Sequence, residues 1–342
     1  MRFSYPPIAA ACIAIVAGAG VLRAGGADIG ATGAVPSTAN LARTFSYPAV
    51  PNPPGKSGLI APSAGTRLAQ RGIITPAVPA AVATSGNPSQ APYKWVGLLV
   101  VPEPTKDNPN SIGLCTAEFI TPSVLLTAGH CLRDLPDNPL GPWPDATKGT
   151  FWLQYQNDSG TTFDIVCAKT NPGWTVPANY NSMNQQQKND ALNAAFQHDY
   201  AMILVKGTSP TGVMQYALDW KGKASYAYRI GYPGNILSSA IVQKAPGYVF
   251  FSNEIPMGPW SALNLVVQWG PITDATTGMS GGPWVVNLSA TESTTNNILI
   301  AVTSFGAIQS DGSQAFPGGT FASYLTAAEF NPLLTSVANG CK

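Results

Sequence analysis

From Lys94 onward the apolar residues of this chain come in short runs, each closed by Pro, Asn or Gly. WVGLLVV at 95–101, IGLCTAEFI at 112–120 and SVLLTAG at 123–129 set the pattern. Runs this short, rich in β-branched and aromatic residues and bounded by turn formers, read as strands and leave little room for long helices. Further strand candidates are 150–155, 162–168, 200–205, 224–230, 241–251, 264–269, 284–287 and 298–304. The 34 Gly and 31 Pro supply the turns that such a chain needs. The fold class is therefore expected to be all-β, with a spacing that suits antiparallel barrels or sandwiches. Two helices are expected, at about 184–196, where Leu192 and Phe196 are one turn apart, and at about 326–338.

The 342 residues are 45% hydrophobic, enough to bury a substantial core. Lys+Arg 18 against Asp+Glu 17 gives a net charge of +1, and neither nucleic acid nor an anionic membrane is expected as a partner. At the N-terminus Arg2 precedes an apolar run from Ile8 to Leu22, followed by small residues at Ala24 and Ala27. This reads as a secretory signal peptide over residues 1–27, and the run is too short for a stable bilayer span. Residues 28–90 are dominated by Ala, Pro, Gly, Ser and Thr with no sustained period, as in a spacer or a propeptide. Residues 91–342 are left to form the folded domain. Removing the signal leaves Cys115, Cys131, Cys167 and Cys341, an even count that in an exported chain implies two disulfides. Three pairings are open. Cys115 and Cys131 are near enough to close a short loop, worth about 3 kcal/mol on the chain-entropy model, which leaves Cys167 with Cys341.

Ser280 lies in the glycine-rich segment TTGMSGGP, a turn suited to presenting a hydroxyl beside backbone N–H groups. A serine hydroxyl needs a base to take its proton, and a carboxylate must orient that base and stabilise it once charged. The chain holds only two histidines, His130 and His198, which disfavours a multi-histidine metal centre. His130 closes LLTAGHC after an apolar strand, and Asp199 opens the strand DYAMILV. His198 competes for the part of base, but neighbours along a strand point to opposite faces. Asp190 competes with Asp199, but sits in a polar, helical stretch where a solvated carboxylate is the ordinary case. Gly278 to Gly282 also fits the GxSxG elbow of a lipase or esterase on the α/β-hydrolase fold. That fold places its histidine after the serine, and no histidine follows Ser280.

The order His130, Asp199, Ser280, with LLTAGHC, HDYAMILV and TTGMSGGPW, resembles the chymotrypsin-like serine endopeptidases. Gly231-Tyr232-Pro233-Gly234 is similar to the secreted, glutamyl endopeptidase-like branch. The resemblance spans about Tyr93 to Ala338. It implies two antiparallel six-stranded β-barrels, at about 93–208 and 215–325, with the active site in the cleft between them and a C-terminal helix. It further implies His130 as general base, Asp199 as its orienter, Ser280 as nucleophile, the N–H groups of Gly278 and Ser280 as the oxyanion hole, and Cys115–Cys131 as the disulfide beside the histidine. Each oxyanion donor is worth about 3 kcal/mol of barrier. No cofactor or metal is expected, and the expected partners are polypeptide substrates of a secreted monomer. The rival reading is a catalytically silent relative that binds peptides through the same cleft.

Substrate preference is expected to rest on Asp274, six residues before Ser280, and on Ser304, Phe305 and Gly306, which would hydrogen-bond an extended substrate as an added strand. In basic-specific members of the resembled family the position of Asp274 pairs with Arg or Lys, while glutamyl-type members carry an aspartate there without that preference; both roles stay open. Strict glutamate preference is disfavoured, because no histidine stands near Thr303, unless the hydroxyls of Thr303 and Ser304 suffice. Met279, where animal digestive relatives carry an acidic residue, excludes activation by a buried α-amino group. Removal of residues 28 to about 90 would then act by unblocking the cleft or not at all.

Overall fold

A computed structural model describes residues 84–102, 112–132, 145–156, 159–220, 226–232, 242–243, 247–251, 266–269, 279–306 and 320–342. The expected signal peptide, most of the 28–90 segment, Asp274, Gly278 and the Pro233-Gly234 part of the branch signature lie outside them. After the two-residue β1 (Thr84–Ser85) come β2 (Val96–Pro102), β3 (Ile112–Phe119), β4 (Val124–Thr127), β5 (Thr150–Gln156), β6 (Ser159–Thr170) and β7 (Ala201–Val205). β2 to β7 close into an antiparallel barrel in the order β2-β3-β4-β7-β6-β5. The remaining strands are β8 (Tyr226–Gly231), β9 (Val242–Gln243), β10 (Gly247–Phe251), β11 (Val266–Trp269), β12 (Pro283–Val286), β13 (Ile298–Gly306) and β14 (Thr320–Tyr324). They form an antiparallel sheet ordered β1-β9-β8-β10-β11-β14-β13-β12, and an additional β8–β12 pairing joins its far strand back to β8. The helices are α1 (Gln185–Phe196) and α2 (Ala327–Ala338). Among the described residues no helix is long and apolar enough to cross a membrane.

Strand alternation sorts the side chains into three apolar layers. Leu99, Phe119, Leu125, Phe151, Phe163 and Ile203 fill the barrel, with Phe119 edge-on to Phe151 and Phe163 at 5.5 and 5.1 Å between centroids. Their strand neighbours Leu98, Leu126 and Met202 point outward and meet Ile230, Val285, Val302 and, from α2, Phe330, Leu333 and Val337. This middle layer joins the barrel to the second sheet and to the C-terminal helix. Trp284, Val286, Ile300 and Tyr324 lie on the far face of the second sheet. Each buried Leu or Phe contributes about 1.5–3 kcal/mol, so the middle layer holds the two halves firmly enough to fix whatever they carry at their junction.

The short apolar runs do become strands. The expected 241–251 strand is two elements, β9 and β10. β14 went unread because Thr-Phe-Ala-Ser-Tyr is short, with small residues and no alternation of burial: Phe321, Ala322 and Ser323 are all fully buried between β11 and β13. β1 lies inside the segment read as spacer, where it pairs with β9. The Gln154 side chain also donates to the Pro88 carbonyl, so the fold reaches back at least to Thr84. Both helices stand where expected. α1 begins with a capping box, in which Asn184 Oδ1 accepts from Gln187 N while Gln187 Oε1 accepts from Asn184 N, each at 3.0 Å.

Candidate active site

β4 ends at Thr127, and a 3-10 turn over Gly129–Cys131 follows, carrying His130 with 7% of its surface exposed. Asp199 stands two residues before β7, fully buried. Because β4 and β7 are paired, with Thr127 opposite Ala201, these two chain segments arrive side by side. Asp199 Oδ1 accepts from His130 N at 2.7 Å, and Oδ2 lies 2.7 Å from His130 Nδ1. Oδ2 also accepts from the hydroxyl of Ser304, which reaches it from β13 of the second sheet. An ionised carboxylate only accepts hydrogen bonds, so with Asp199 charged the imidazole proton sits on Nδ1 and Nε2 is the basic nitrogen. Gly129 leaves room for this pair: a Cβ there would stand 3.0 Å from both Asp199 Oδ1 and the Trp174 ring and would force one of them to give way by a few tenths of an ångström. Trp174 in turn flanks His130, with ring centroids 6.4 Å apart.

Ser280 is half-buried and sits in the turn that opens β12. Its carbonyl accepts from Thr116 N of β3 at 2.8 Å, a backbone bond that ties the turn to the barrel. Gly281 adopts φ +80, and a Cβ on it would strike Thr127 Oγ1, the Thr116 carbonyl and Ala128 N. Only glycine lets the residue after Ser280 pack that closely against the end of β4. Thr127 is itself held by its hydroxyl on the Thr116 carbonyl at 2.8 Å. The Ser280 turn is thus seated on residues 127–128, immediately before the turn that carries His130. Gly281 N donates to the Thr303 carbonyl and Thr303 N to the Gly282 carbonyl, fixing the turn to β13 as well.

His130, Asp199, Ser280 and Ser304 are thereby gathered where the barrel meets the second sheet. The other sequence candidates separate from them. His198 pairs instead with Glu329 of α2 at 2.9 Å; it sits in the turn after α1, its N–H on the Ala195 carbonyl, and not in a strand, so it is this turn and not strand alternation that separates it from Asp199. Asp190 is exposed on α1, bonded to Gln186. Ser304 was expected to meet substrate, through its backbone or its hydroxyl; the bond of that hydroxyl to Asp199 went unforeseen, and nothing near it in sequence signals that bond. Phe305 and Gly306 pair with Phe321 and Thr320 of β14, and the register slips between Thr303 and Phe305, so Ser304 occupies a bulge. Disulfides join Cys115 to Cys131 and Cys167 to Cys341. Cys115 and Cys131 lie beside the His130 ring, but their sulfurs are bonded to each other and offer no thiolate to a metal.

A closed six-stranded antiparallel barrel packed on a second antiparallel sheet with a short C-terminal helix is the chymotrypsin-like serine protease fold, as the resemblance implied. No family model matches the sequence, and no curated protein does. Solved structures do match. The protease Anisep of Arthrobacter nicotinovorans aligns with a TM-score of 0.51 at 19% identity, over 75% of this chain and 100% of its own. A thermostable serine protease, AL20, from an extremophilic microorganism gives 0.51 at 19%, over 72% and 98%. Neuropsin, a serine protease expressed in the limbic system of mouse brain, gives 0.50 at 14%, over 75% and 98%.

Proposed function

We propose that this chain is a secreted serine endopeptidase that cleaves polypeptides through an acyl-enzyme. The observation that carries the reading is the buried His130–Asp199 pair, closed by Ser304 and set against the turn that bears Ser280. The protease fold supports it. In the mechanism, Ser280 Oγ attacks the carbonyl carbon of the scissile bond while its proton passes to His130 Nε2. The resulting imidazolium is held by Asp199, which accepts from both His130 N and Nδ1. The oxyanion takes hydrogen bonds from the N–H groups of Ser280 and Gly278. Collapse breaks the C–N bond, the leaving amine takes the proton from His130, and water repeats the sequence to release the acid.

Ser304 to Gly306 is read as the backbone that receives the substrate strand. β12 pairs with β13 only as far as Val302, and β14 covers the other edge of Phe305 and Gly306, an arrangement that supports strand addition beside Ser280. Asp274 is proposed to contribute to the primary specificity pocket. The two disulfides support an oxidising, extracellular location for the folded domain, with residues 1–27 as its export signal and residues 28 to the start of β1 as a spacer or propeptide.

Labelling with a fluorophosphonate followed by peptide mapping tests the assignment. The adduct is expected on Ser280 and is expected to vanish in Ser280→Ala. An unlabelled, folded wild type would support the silent-homologue reading instead. A peptide-library profile of Asp274→Ser against wild type tests the pocket, and an unchanged profile removes Asp274 from it.

A further inference from the structure

Glu329, on the first turn of α2, gathers more polar partners than a helix-surface carboxylate ordinarily does. Its Oε1 lies 2.9 Å from His198 Nδ1, and its Oε2 lies 3.0 Å from the same nitrogen. Oε2 also accepts from Asn171 Nδ2 at 2.9 Å and from the Tyr200 hydroxyl at 3.5 Å. The bond to His198 is the leading reason that the Glu329 carboxyl is held below its ordinary pKa, with Asn171 and Tyr200 adding to it. These partners belong to two chain segments, and both segments bound the candidate catalytic imidazole.

One segment is 198–200, with Asp199 between the two residues that Glu329 holds. The other is the turn at 171–174. Asn171 shapes that turn, its Oδ1 accepting from Gly173 N at 2.8 Å and its carbonyl from Trp174 N at 2.9 Å. The turn ends in Trp174, whose ring stands beside His130 and against Phe196. The segments are also joined directly, by Asn171 N on the Tyr200 carbonyl and by the His198 ring packed against Gly173. α2 is anchored independently near its other end by Lys169 Nζ on Ser336 Oγ and by the Cys167–Cys341 disulfide.

We propose that Glu329 is a positioning residue for the His130–Asp199 pair: from the C-terminal helix it clamps the segment that presents Asp199 and the turn that sets Trp174 against the imidazole. This rests on the serine-endopeptidase reading above for its catalytic consequence. The clamp works because proton transfer tolerates little displacement, and a shift of about 1 Å in a supporting segment costs as much as 10²-fold in rate. Substrate binding along β13 lies on another element and is expected to be untouched.

The test uses the full chain with Glu329→Gln, Glu329→Ala and His198→Gln. Unfolding curves come first, followed by kcat and KM on a cleavable peptide and by the downfield proton resonance of His130 Nδ1–H. For Glu329→Ala, kcat is expected to fall on the order of tenfold with KM unchanged, and the Nδ1–H resonance is expected to shift or broaden. Glu329→Gln, which keeps the acceptor oxygen and loses the charge, is expected to recover part of both. His198→Gln, which leaves Asn171 and Tyr200 on Glu329, is expected to move both readouts in the same direction by less. A lowered unfolding midpoint with kcat and the resonance both unmoved would overturn the proposal and leave Glu329 as a staple for α2. The resonance is read without turnover. A wild type that takes no fluorophosphonate label, together with a Glu329→Ala variant whose resonance moves, would therefore overturn the endopeptidase reading and sustain the clamp.

Discussion

The two histidines of the chain each meet a carboxylate through Nδ1, His130 with Asp199 at 2.7 Å and His198 with Glu329 at 2.9 Å. The distances are nearly the same, and the surroundings are not. In the first pair the side chains are 3% and 0% exposed, and in the second 31% and 33%. Water screens the second pair and competes for its hydrogen bonds, so its worth is modest. In the first pair, removing either side chain would leave the other buried and short of its main partner, a cost of several kcal/mol. A fixed geometry follows from depth more than from distance. That the two pairs begin on adjacent residues, His198 and Asp199, means that the short turn between α1 and β7 serves the core and the surface at once.

The largest effect expected from that contrast is in Asp199→Asn, which keeps the shape and removes the acceptor for Nδ1–H. Its kcat should fall about 10⁴-fold, and a loss under tenfold, read by active-site-titrated kinetics, would break the account of the buried pair. Gly129→Ala probes the same pocket sterically, since the added methyl group would press on Asp199 Oδ1 and Trp174 at 3.0 Å. A destabilisation of about 1–3 kcal/mol by denaturant unfolding is expected, and a neutral result would show that the pocket yields more than its burial implies.

Glu118 sharpens the comparison from the other side, as a fully buried carboxyl whose two oxygens have no hydrogen-bond partner among the described residues. It stands on β3 between Val96 and Leu126, and Arg229 of β8 lies on the opposite face from Ile230, which shares the middle layer. Burial raises the Glu118 pKa well above its ordinary 4.5. At pH below that ordinary value both folded and unfolded chains carry the proton, and ionisation costs nothing. As pH rises further only the unfolded chain loses its proton, so stability falls by up to about 1.4 kcal/mol per pH unit until the native carboxyl ionises. Glu118→Gln should therefore unfold later than wild type at pH 7 and match it near pH 4. Parallel curves across that range would show that Glu118 has a partner. The smallest effect belongs to the exposed extreme, the Lys94–Glu292 ion pair, whose Glu292 side chain is 56% exposed. Glu292→Gln should change stability by under about 0.5 kcal/mol, and a larger loss would mean that exposure is a poor guide to the worth of a pair in this fold.

The strands of the barrel were readable because alternation and turn residues are local signals. WVGLLVV, IGLCTAEFI and SVLLTAG became β2, β3 and β4 within a residue or two. β14 was not readable, because a strand buried on both faces and built of small residues carries no period. β1 was missed for a related reason: two residues in a Pro- and Ala-rich stretch become a strand only when β9 is there to pair with them. His130 and Asp199 were singled out from the chemistry their flanking sequences can support, and the structure joins them in one buried pair. Ser304 stands on the strand expected for it, but its bond to Asp199 was not expected, since a hydroxyl that reaches a carboxylate 105 residues away leaves no mark on its neighbours in sequence.

The sequence by itself determined the strand-rich class, four of the five cysteines as the candidates for crosslinks, and which side chains in the chain are chemically able to form a nucleophile, a base and its orienter. The tertiary structure decided which of two histidines faces inward, what closes the far side of Asp199, and that Glu329, 131 residues from His198, braces the segment beside it. The division has one physical origin. Period, turn chemistry and side-chain pKa act over a few residues and are written in local order, whereas burial and hydrogen bonding between distant segments exist only once packing has brought those segments together.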